Sequence, residues 1–407
     1  MANTFKTRSD GDIVRLMLES FHNKATFLKT VDRQHDKDFG VAGRKNAGSI
    51  LIKNPNEYTV GSTAVIAVQP ITETTQTMTV ATRRNVAVNI TSYERTMSED
   101  DFKKEVADPA MMRLVADVEY TILKDIYKSV YNLTGTPATT PASLAAIQNA
   151  RARLVQKLAP QDDLHLLLDP IAMAATVGSM ATYFHKASEV ERAFSKGYMG
   201  EAAGFKWWET PMVPSHTNGA RVDASHVIDV STIANGDTTI ATTGQTSTTG
   251  AFKAGDIITI DAVYDVNQET KEAYSHLKQF VVTADKTCDT SDDLSISPAI
   301  YISGAKQNCY HASWTGSEAI VSVAAGGSGA ASTRYTQNLA YHRNAFTVAF
   351  ADLPLPYGDK GVYAHMDNIS LRMWQFSDGI NDTHTTRFDV LFGWLAQRPE
   401  WAVRVRG

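Results

Sequence analysis

The sequence is poor in cysteine: Cys288 and Cys309 are the only two in 407 residues, and no CxxC pair occurs. Two thiols in a chain this long exclude a disulfide framework. No His/Cys group at zinc spacing surrounds them, so both are expected to be reduced. Long apolar runs are missing too. No stretch is long enough to cross a bilayer, and the opening MANTFKTRSDGD lacks the apolar core of a signal peptide. The expectation is a chain made and kept in the cytosol, so the sequons at Asn132 and Asn381 carry no weight. Positive charge is not in excess either. The formal net charge is -5, which argues against a protein that grips nucleic acid through a basic face, though not against one that encloses it.

Catalytic signatures are equally scarce. No Walker lysine motif, HExxH or GxSxG occurs. GGSG at Gly326–Gly329 lacks the spacing and the strand-to-helix setting of a phosphate loop. Asp162 and Asp163 follow Pro160 in a turn, where solvated carboxylates are the ordinary reading and an acid–base pair the alternative. Asp289, Asp292 and Asp293 sit among Ser and Thr without the EF-hand pattern, leaving weak cation binding as the alternative to a solvated loop. His216, His226, His276 and His311 show no ligand spacing and read as surface or satisfied core histidines. Trp207-Trp208 offers packing or a stacking platform, and no basic groove accompanies it. Arg83-Arg84, Arg151/Arg153 and Arg404/Arg406 read as solvated or interface ion-pair residues, with phosphate contact as the alternative. No catalytic residue, metal ligand or cofactor is expected.

What the chain has is length and pattern. Hydrophobic residues make up 43% and charged residues 20%, a globular balance with material for two or three domains. The longest helical period lies in Ser98–Asn132. Ser98 with Asp101 resembles a capping box, and Asp108 before Pro109 is a second start. A short helix near 99–107, a bend, and a long helix from Pro109 to about Asn132 are expected. Met111, Val115, Val118, Ile122 and Ile126 line one face, widened by Leu114, Leu123, Tyr127 and Val130. A stripe this wide needs cover on more than one side, as a spine would, although an ordinary core helix fits equally.

Before the spine, Ile13, Leu16, Met17 and Phe21 stripe a short helix over Gly11–His22. From Ile50 the period changes to two: Ile50–Ile52, Val65–Val68, Met78 with Val80, then Val86, Val88 and Ile90. A long hairpin of two or three strands over 48–91 is expected. An isolated ribbon is marginal in water and must lie on something. After the spine, 133–214 mixes helices over 141–158, 171–178 and 188–194 with a strand at 164–168. Residues 215–332 turn to short strands rich in Thr, Ser, Gly and Asp, which suggests a compact all-β unit inserted in an α+β host. Strand patterns then return to the end.

Several stretches resemble the major coat proteins of tailed bacteriophages, most of all the short-tailed-phage family whose members carry an inserted β-barrel domain. NVAVNI followed by TMSEDDF at Asn85–Phe102 is similar to that family's passage from extended loop to spine. MGEAAGFKWWETPMVPSHTNG at Met199–Gly219 is similar to its Gly-Phe loop. GAFKAGDIITIDAVYDV at Gly250–Val266 with LKQFVVTAD at Leu277–Asp285 resembles the core of the inserted domain, and RFDVLFGWLAQRPEWAVRVRG at Arg387–Gly407 its terminal strand.

The resemblance implies the α+β capsid fold shared by tailed phages and herpesviruses. Its parts would be an N-terminal arm at 1–47, an extended β loop at 48–91, a peripheral domain with the spine at 92–132, an axial domain at 133–220 and 332–375, an inserted β-barrel at 221–331 and a terminal peripheral strand at 376–407. It implies pentamers and hexamers of this chain in an icosahedral virion shell. Assembly would proceed in the bacterial cytoplasm around a scaffolding protein, with a portal at one vertex, expansion on maturation, double-stranded DNA held inside without sequence readout, and no membrane. Under this reading the ribbon and arm make the subunit interface, through Ile13, Leu16, Phe21, Ile50, Ile52, Tyr58, Val65, Arg83, Arg84 and Val86. The alternative is a phage adhesin-like module that recognises a glycan through the β insertion, with Trp207, Trp208 and Trp314 as platform. An enzyme is the third reading.

Overall fold

Apolar side chains at 3–4 spacing mark a helix from Asp108, and every one of them is buried: Met111, Leu114, Val115, Val118, Ile122, Leu123, Ile126, Tyr127 and Val130. The α-helix runs Asp108–Ile126 and tightens to a 3-10 turn at Tyr127–Ser129. It stops short of the expected Asn132 because Val130 is already extended. Asn132 then donates its side-chain amide to the carbonyls of Glu400 and Ala402, both at 3.1 Å. The computed structural model describes residues 10–34, 48–60, 68–69, 71, 73–91, 108–136, 139–180, 200–220, 226–230, 232–244, 248–288, 291–322, 332–355, 360–366, 369–378 and 383–407. The capping box at Ser98, the short helix near 99–107 with its bend, the helix at 188–194 and the GGSG stretch lie outside them.

The chain divides into two compact units. One comprises Met1–Lys53, Thr75–Ile122 and Phe346–Gln397. Its centre is the long strand Thr383–Leu395, which pairs antiparallel with Thr82–Thr91 along one edge, and with Ile369–Asp378 and Thr347–Ala351 along the other. Lys360–Met366 extends the sheet. Alternation puts Phe388, Val390, Phe392, Leu371 and Met373 on one buried face. The strand Thr82–Thr91 is therefore not a third strand of the ribbon, as its period alone had suggested, but part of the main sheet. The ribbon proper is the two-stranded pair Ser49–Lys53 with Thr75–Thr79. The N-terminal helix, Asp10–Lys24, buries Val14, Met17, Leu18 and Phe21. Beyond it, the Asp32 N–H donates to Phe346 O (3.1 Å), and Val348 N–H to Asp32 O (3.0 Å).

The other unit comprises Asn54–Thr74, Leu123–Ala345 and Arg398–Gly407. Its six-stranded sheet has the order Leu133–Thr134, Ala402–Val405, Asn338–His342, Leu164–Leu168, Phe205–Glu209, Glu201–Ala202. Two helices, Leu144–Gln156 and Pro170–Met180, contribute Ile147, Leu154, Ala172 and Met173 to the core it shares with Leu166, Trp207 and Val403. Ser143 caps the first, its Oγ accepting from Ala146 N–H at 3.2 Å. The expected boundary at 375/376 does not coincide with the units. The changes fall at Ala345/Phe346 and Gln397/Arg398, because Thr347–Ala351 and Ile369–Asp378 pair with Thr383–Leu395 while Asn338–His342 pairs with Ala402–Val405.

Within this second unit, 226–322 forms strands that pair in the order Val227–Ile228, Asp237–Thr243, Ser291–Ile300, Ala273–Val282, Ile257–Val266, Ile320–Ser322. Ile228 N–H donates to Glu318 O (3.0 Å) and Ile320 N–H to His226 O (2.9 Å), so the last strand returns to the first. Ile228, Ile240, Phe252, Ile258, Phe280, Leu294 and Ile320 fill the interior with both cysteines, which are buried and form no disulfide. None of the described helices is long and apolar enough to cross a membrane.

Candidate assembly surface

The ribbon is anchored on one side and bare on the other. Ile52, Met78 and Val80 form a buried cluster with Ala349, flanked by Ile50, Leu391 and Leu395. Gly393 makes this possible, since a Cβ there would run into Thr79 O and lie 2.8 Å from Val80 Cα. Leu51, between Ile50 and Ile52, points away and is exposed. Beyond the ribbon, Asn54 N–H donates to Thr74 O at 2.8 Å. Gln69 clasps the Thr59 backbone in both directions, accepting from its N–H at 2.8 Å and donating to its carbonyl at 2.6 Å. The segment so closed exposes Tyr58 (57%), Val60 (99%), Val68 (90%) and Ile71 (70%). Four large apolar side chains thus stand in water on one short segment.

The other expected interface residues are engaged within the chain or lie outside the described structure. Phe21 and Ile52 are buried, Ile50 and Val86 half-buried. Nothing is described of the side chains of Ile13 and Leu16, and Val65 lies outside the described residues. Arg83 donates to Asp389 through Nε (3.1 Å) and Nη2 (2.9 Å). Arg84 reaches from the opposite face to Asp117 on the spine at 2.6 Å. Of the ten, Tyr58 is the one the structure shows on an open apolar surface. Val60, Val68 and Ile71 join it, and the signal for them was apolar residues that keep no period.

Asp389 is a hub that pattern reading missed. Fully buried, it takes Arg372 at 2.6 Å, Arg83 at 2.9 Å and Arg387 at 2.9 Å. Burial opposes its charge, yet Arg372 and Arg83 hold its carboxyl below the usual range. Glu119 on the spine is a second hub: its Oε1 accepts from the Thr26 N–H (2.7 Å) and the Leu28 N–H (3.2 Å), tying the N-terminal segment to the helix.

Most of the residues weighed for chemistry are engaged within the chain; Asp162 and Asp293 are exposed, and Asp289 lies outside the described residues. Trp207 is buried and donates to Ala202 O at 2.9 Å, while Trp208 donates to His165 Nδ1 at 3.0 Å. Trp314 stacks on His311 at 4.1 Å. The three tryptophans thus form no open platform, against the glycan-binding alternative. His216 lies buried between Asp256 (2.7 Å) and Tyr127 (3.0 Å), and His276 reaches Asp265 at 3.3 Å. His226 is buried against Phe252. Asp163 pairs with Lys206 at 2.6 Å and Asp292 with Lys286 at 2.9 Å. Arg404 and Arg406 are not solvated: both are buried, their guanidinium groups over the rings of Tyr127 and Tyr335. The strand Ala402–Val405, which holds Arg404 and ends just before Arg406, lies between two others and is covered throughout. Among the described residues no group of three or more His, Cys, Asp or Glu could hold a metal.

The described residues present an open apolar segment, and the sequence comparison says which family the chain belongs to. Residues 9–407 match the family model for the P22 coat protein, gene protein 5. The chain belongs to the P22 coat protein family. It is a phage major capsid protein, a structural subunit of the virion shell and not an enzyme. The coat subunit is 22% identical over 427 residues to the major capsid protein of Acyrthosiphon pisum secondary endosymbiont phage 1, across 98% of each chain. Among solved structures, a chain from Mycobacterium phage Che8 gives a TM-score of 0.49 at 10% identity, covering 93% of this chain and 90% of that one. The capsid of Ralstonia phage GP4 gives 0.45 at 9%, covering 94% and 92%. These structural likenesses are loose, and the assignment rests on the sequence match.

Proposed function

We propose that the coat subunit joins its neighbours chiefly through the ribbon and the 54–74 segment beyond it, building pentamers and hexamers of an icosahedral shell. The observation that carries this is the exposure of Tyr58, Val60, Val68 and Ile71 on a segment whose base is pinned. Apolar surface of this kind gains most when a partner covers it, and specific interfaces bury on the order of 1,200–2,000 Å². The arm contributes less than its sequence promised, because Phe21, Met17 and Leu18 are spent within the chain. Assembly in the host cytoplasm around a scaffolding protein, a portal at one vertex and enclosure of double-stranded DNA complete the reading. The net charge of -5 fits DNA that is confined without being gripped. In the same reading 221–331 is the inserted β-barrel domain, 92–132 with the terminal strand the peripheral domain, and 133–220 the first part of the axial domain. Analytical ultracentrifugation of a variant lacking 55–73 is the test. Loss of shell-sized particles from a folded subunit is expected, and particles of normal size and yield would refute the reading.

A further inference from the structure

The strand Ala402–Val405 carries Arg404 into a buried polar cluster, and Arg406 follows just beyond the strand. The turn Lys253–Asp256, which leads into the strand Ile257–Val266, closes on the same place. Gly255 takes a φ of +103°, and a Cβ there would lie 3.2 Å from Tyr127 Cε2 and 3.3 Å from His216 Cε1. The turn therefore presses its backbone onto these two rings. Arg404 Nη1 donates to Gly255 O at 2.7 Å and to Gln337 Oε1 at 3.4 Å. Its Nε and Nη2 are buried too, and meet no acceptor among the described residues. Asp256 does not serve them. Its Oδ1 lies 2.7 Å from His216 Nε2, and its Oδ2 accepts from the Gly219 N–H (3.0 Å) and the Lys253 N–H (2.8 Å).

The charges of the cluster do not balance. Arg404 and Arg406 are both cations, and the acid that acts on each is Asp256. Burial lowers the Arg404 pKa only to about 10, so it stays charged at neutral pH. Burial also lowers the His216 pKa; Asp256 opposes this, Arg404 and Arg406 add to it, and the ring is neutral. One positive charge is thus buried without a counter-charge, beside two N–H donors without an acceptor. Either deficit is costly inside a protein. We propose that the Nε–Nη2 edge of Arg404 binds one small monovalent anion, chloride. A single anion cancels both deficits at once. Phosphate carries more charge than the excess of one, and more oxygens than two donors satisfy. A carboxylate on another chain has no approach, since Arg404 is 0% exposed and Arg406 2%. The ring of Tyr127, 5.2 Å from the Arg404 guanidinium carbon, gives a weakly hydrated halide an apolar wall. The ion would tie the terminal strand to the turn at Gly255 and the end of the spine at Tyr127.

The full-length, unassembled subunit in gluconate buffer tests the site. Chloride added at constant ionic strength should raise the melting temperature saturably, by roughly 2–4 °C, because an ion that binds only the folded chain stabilises it. Subunit equilibrated with bromide, desalted into gluconate and unfolded in urea should release about one bromide per chain by elemental mass spectrometry. Arg404→Met removes the donors and the excess charge together, and should abolish both effects. Gln337→Glu gives a second readout. It places a carboxylate where Gln337 Oε1 now accepts from Nη1, so the chain supplies its own negative charge and the chloride response should vanish. Equal melting temperatures in the two salts, with no bromide released, would overturn the site and leave water to meet these donors. A chloride response undiminished in either variant would put the anion elsewhere and overturn it as well. If neither variant folds, the bromide count on the unsubstituted chain decides.

Discussion

Asp265 and Lys157 meet at 2.6 Å with both side chains almost wholly out of solvent. Lys278 lies 3.2 Å from the same carboxylate, His276 3.3 Å and Arg153 3.6 Å. One acid on the strand Ile257–Val266 thus fastens the end of the helix Leu144–Gln156, whose C-cap is Lys157, to a strand pair inside 226–322. Burial lowers the Lys157 pKa, and the adjacent Lys278 lowers it further. Burial opposes the charge on Asp265, but Lys278, His276 and Lys157 hold its carboxyl far below the usual range. Asp265→Asn would leave buried cations without a counter-charge, which typically costs about 3–5 kcal/mol. Lys157→Met removes one cation and leaves two, so its cost should be much smaller. Urea unfolding of the unassembled subunit checks the contrast, and equal losses from the two variants would contradict it.

Glu119 makes stability depend on pH. Burial raises its pKa from the ordinary 4.5 to about 7, outweighing the Leu28 and Thr26 N–H bonds that favour the charged form. Both bonds go to Oε1, so Oε2 can hold a proton without breaking either. A folded carboxyl that binds its proton more tightly than the unfolded one contributes stability fully present below 4.5 and lost as pH rises through about 7. Glu119→Gln keeps an acceptor oxygen and removes the ionisation. It should therefore be more stable than the unsubstituted chain above neutral pH, by roughly 1–3 kcal/mol. The difference should close below the ordinary carboxyl range. Unfolding free energies measured across that pH range provide the check, and a constant offset would rule the linkage out.

The spine was legible because nine apolar residues keep helical spacing, and all nine are buried. Thr82–Thr91 was legible as a strand but not as a partner of Thr383–Leu395, since a period of two gives the faces and says nothing about which distant strand supplies the hydrogen bonds. The hubs were hidden for a related reason. Asp389 is the one acid in the apolar strand RFDVLF and Asp265 the second of two in ITIDAVYDV, and apart from Arg387 their counter-ions come from elsewhere in the chain. The usable signal was the acid itself, a charge where alternation demanded burial. Arg404 and Arg406 misled in the opposite sense. The strand that ends at Val405 is covered on both faces and Arg406 just beyond it is buried too, so paired arginines that looked solvated are packed on tyrosines.

The 221–331 fragment should fold alone. Its interior, from Ile228 to Ile320, finds its apolar partners within 226–322, and its last strand returns by backbone bonds to its first. Excision removes Lys157 and Arg153 from Asp265 but leaves Lys278 and His276. A cooperative thermal transition by circular dichroism is expected, and a broad, non-cooperative melt would show that the domain boundary is misplaced.

Gly393 tests how far assembly depends on the seating of the ribbon. It lies on the central strand Thr383–Leu395, where a methyl group would strike Thr79 O and crowd Val80 Cα at 2.8 Å. Both obstacles are backbone, so neither can swing aside as a side chain would. Gly393→Ala must therefore lift the ribbon from the sheet or distort the central strand. Lifting the ribbon is easier, because the strand is held on both edges while the ribbon's buried cover is the small cluster of Ile52, Met78, Val80 and Ala349. Overpacking of this kind typically costs about 1–3 kcal/mol. Hydrogen exchange should then accelerate at 75–80 while 383–392 stays protected. Particle yield should fall more than the melting temperature predicts, since the displaced element carries the exposed 54–74 segment. Protection lost equally across 75–80 and 383–392 would mean that the central strand gives way first, and that ribbon and sheet form one mechanical piece.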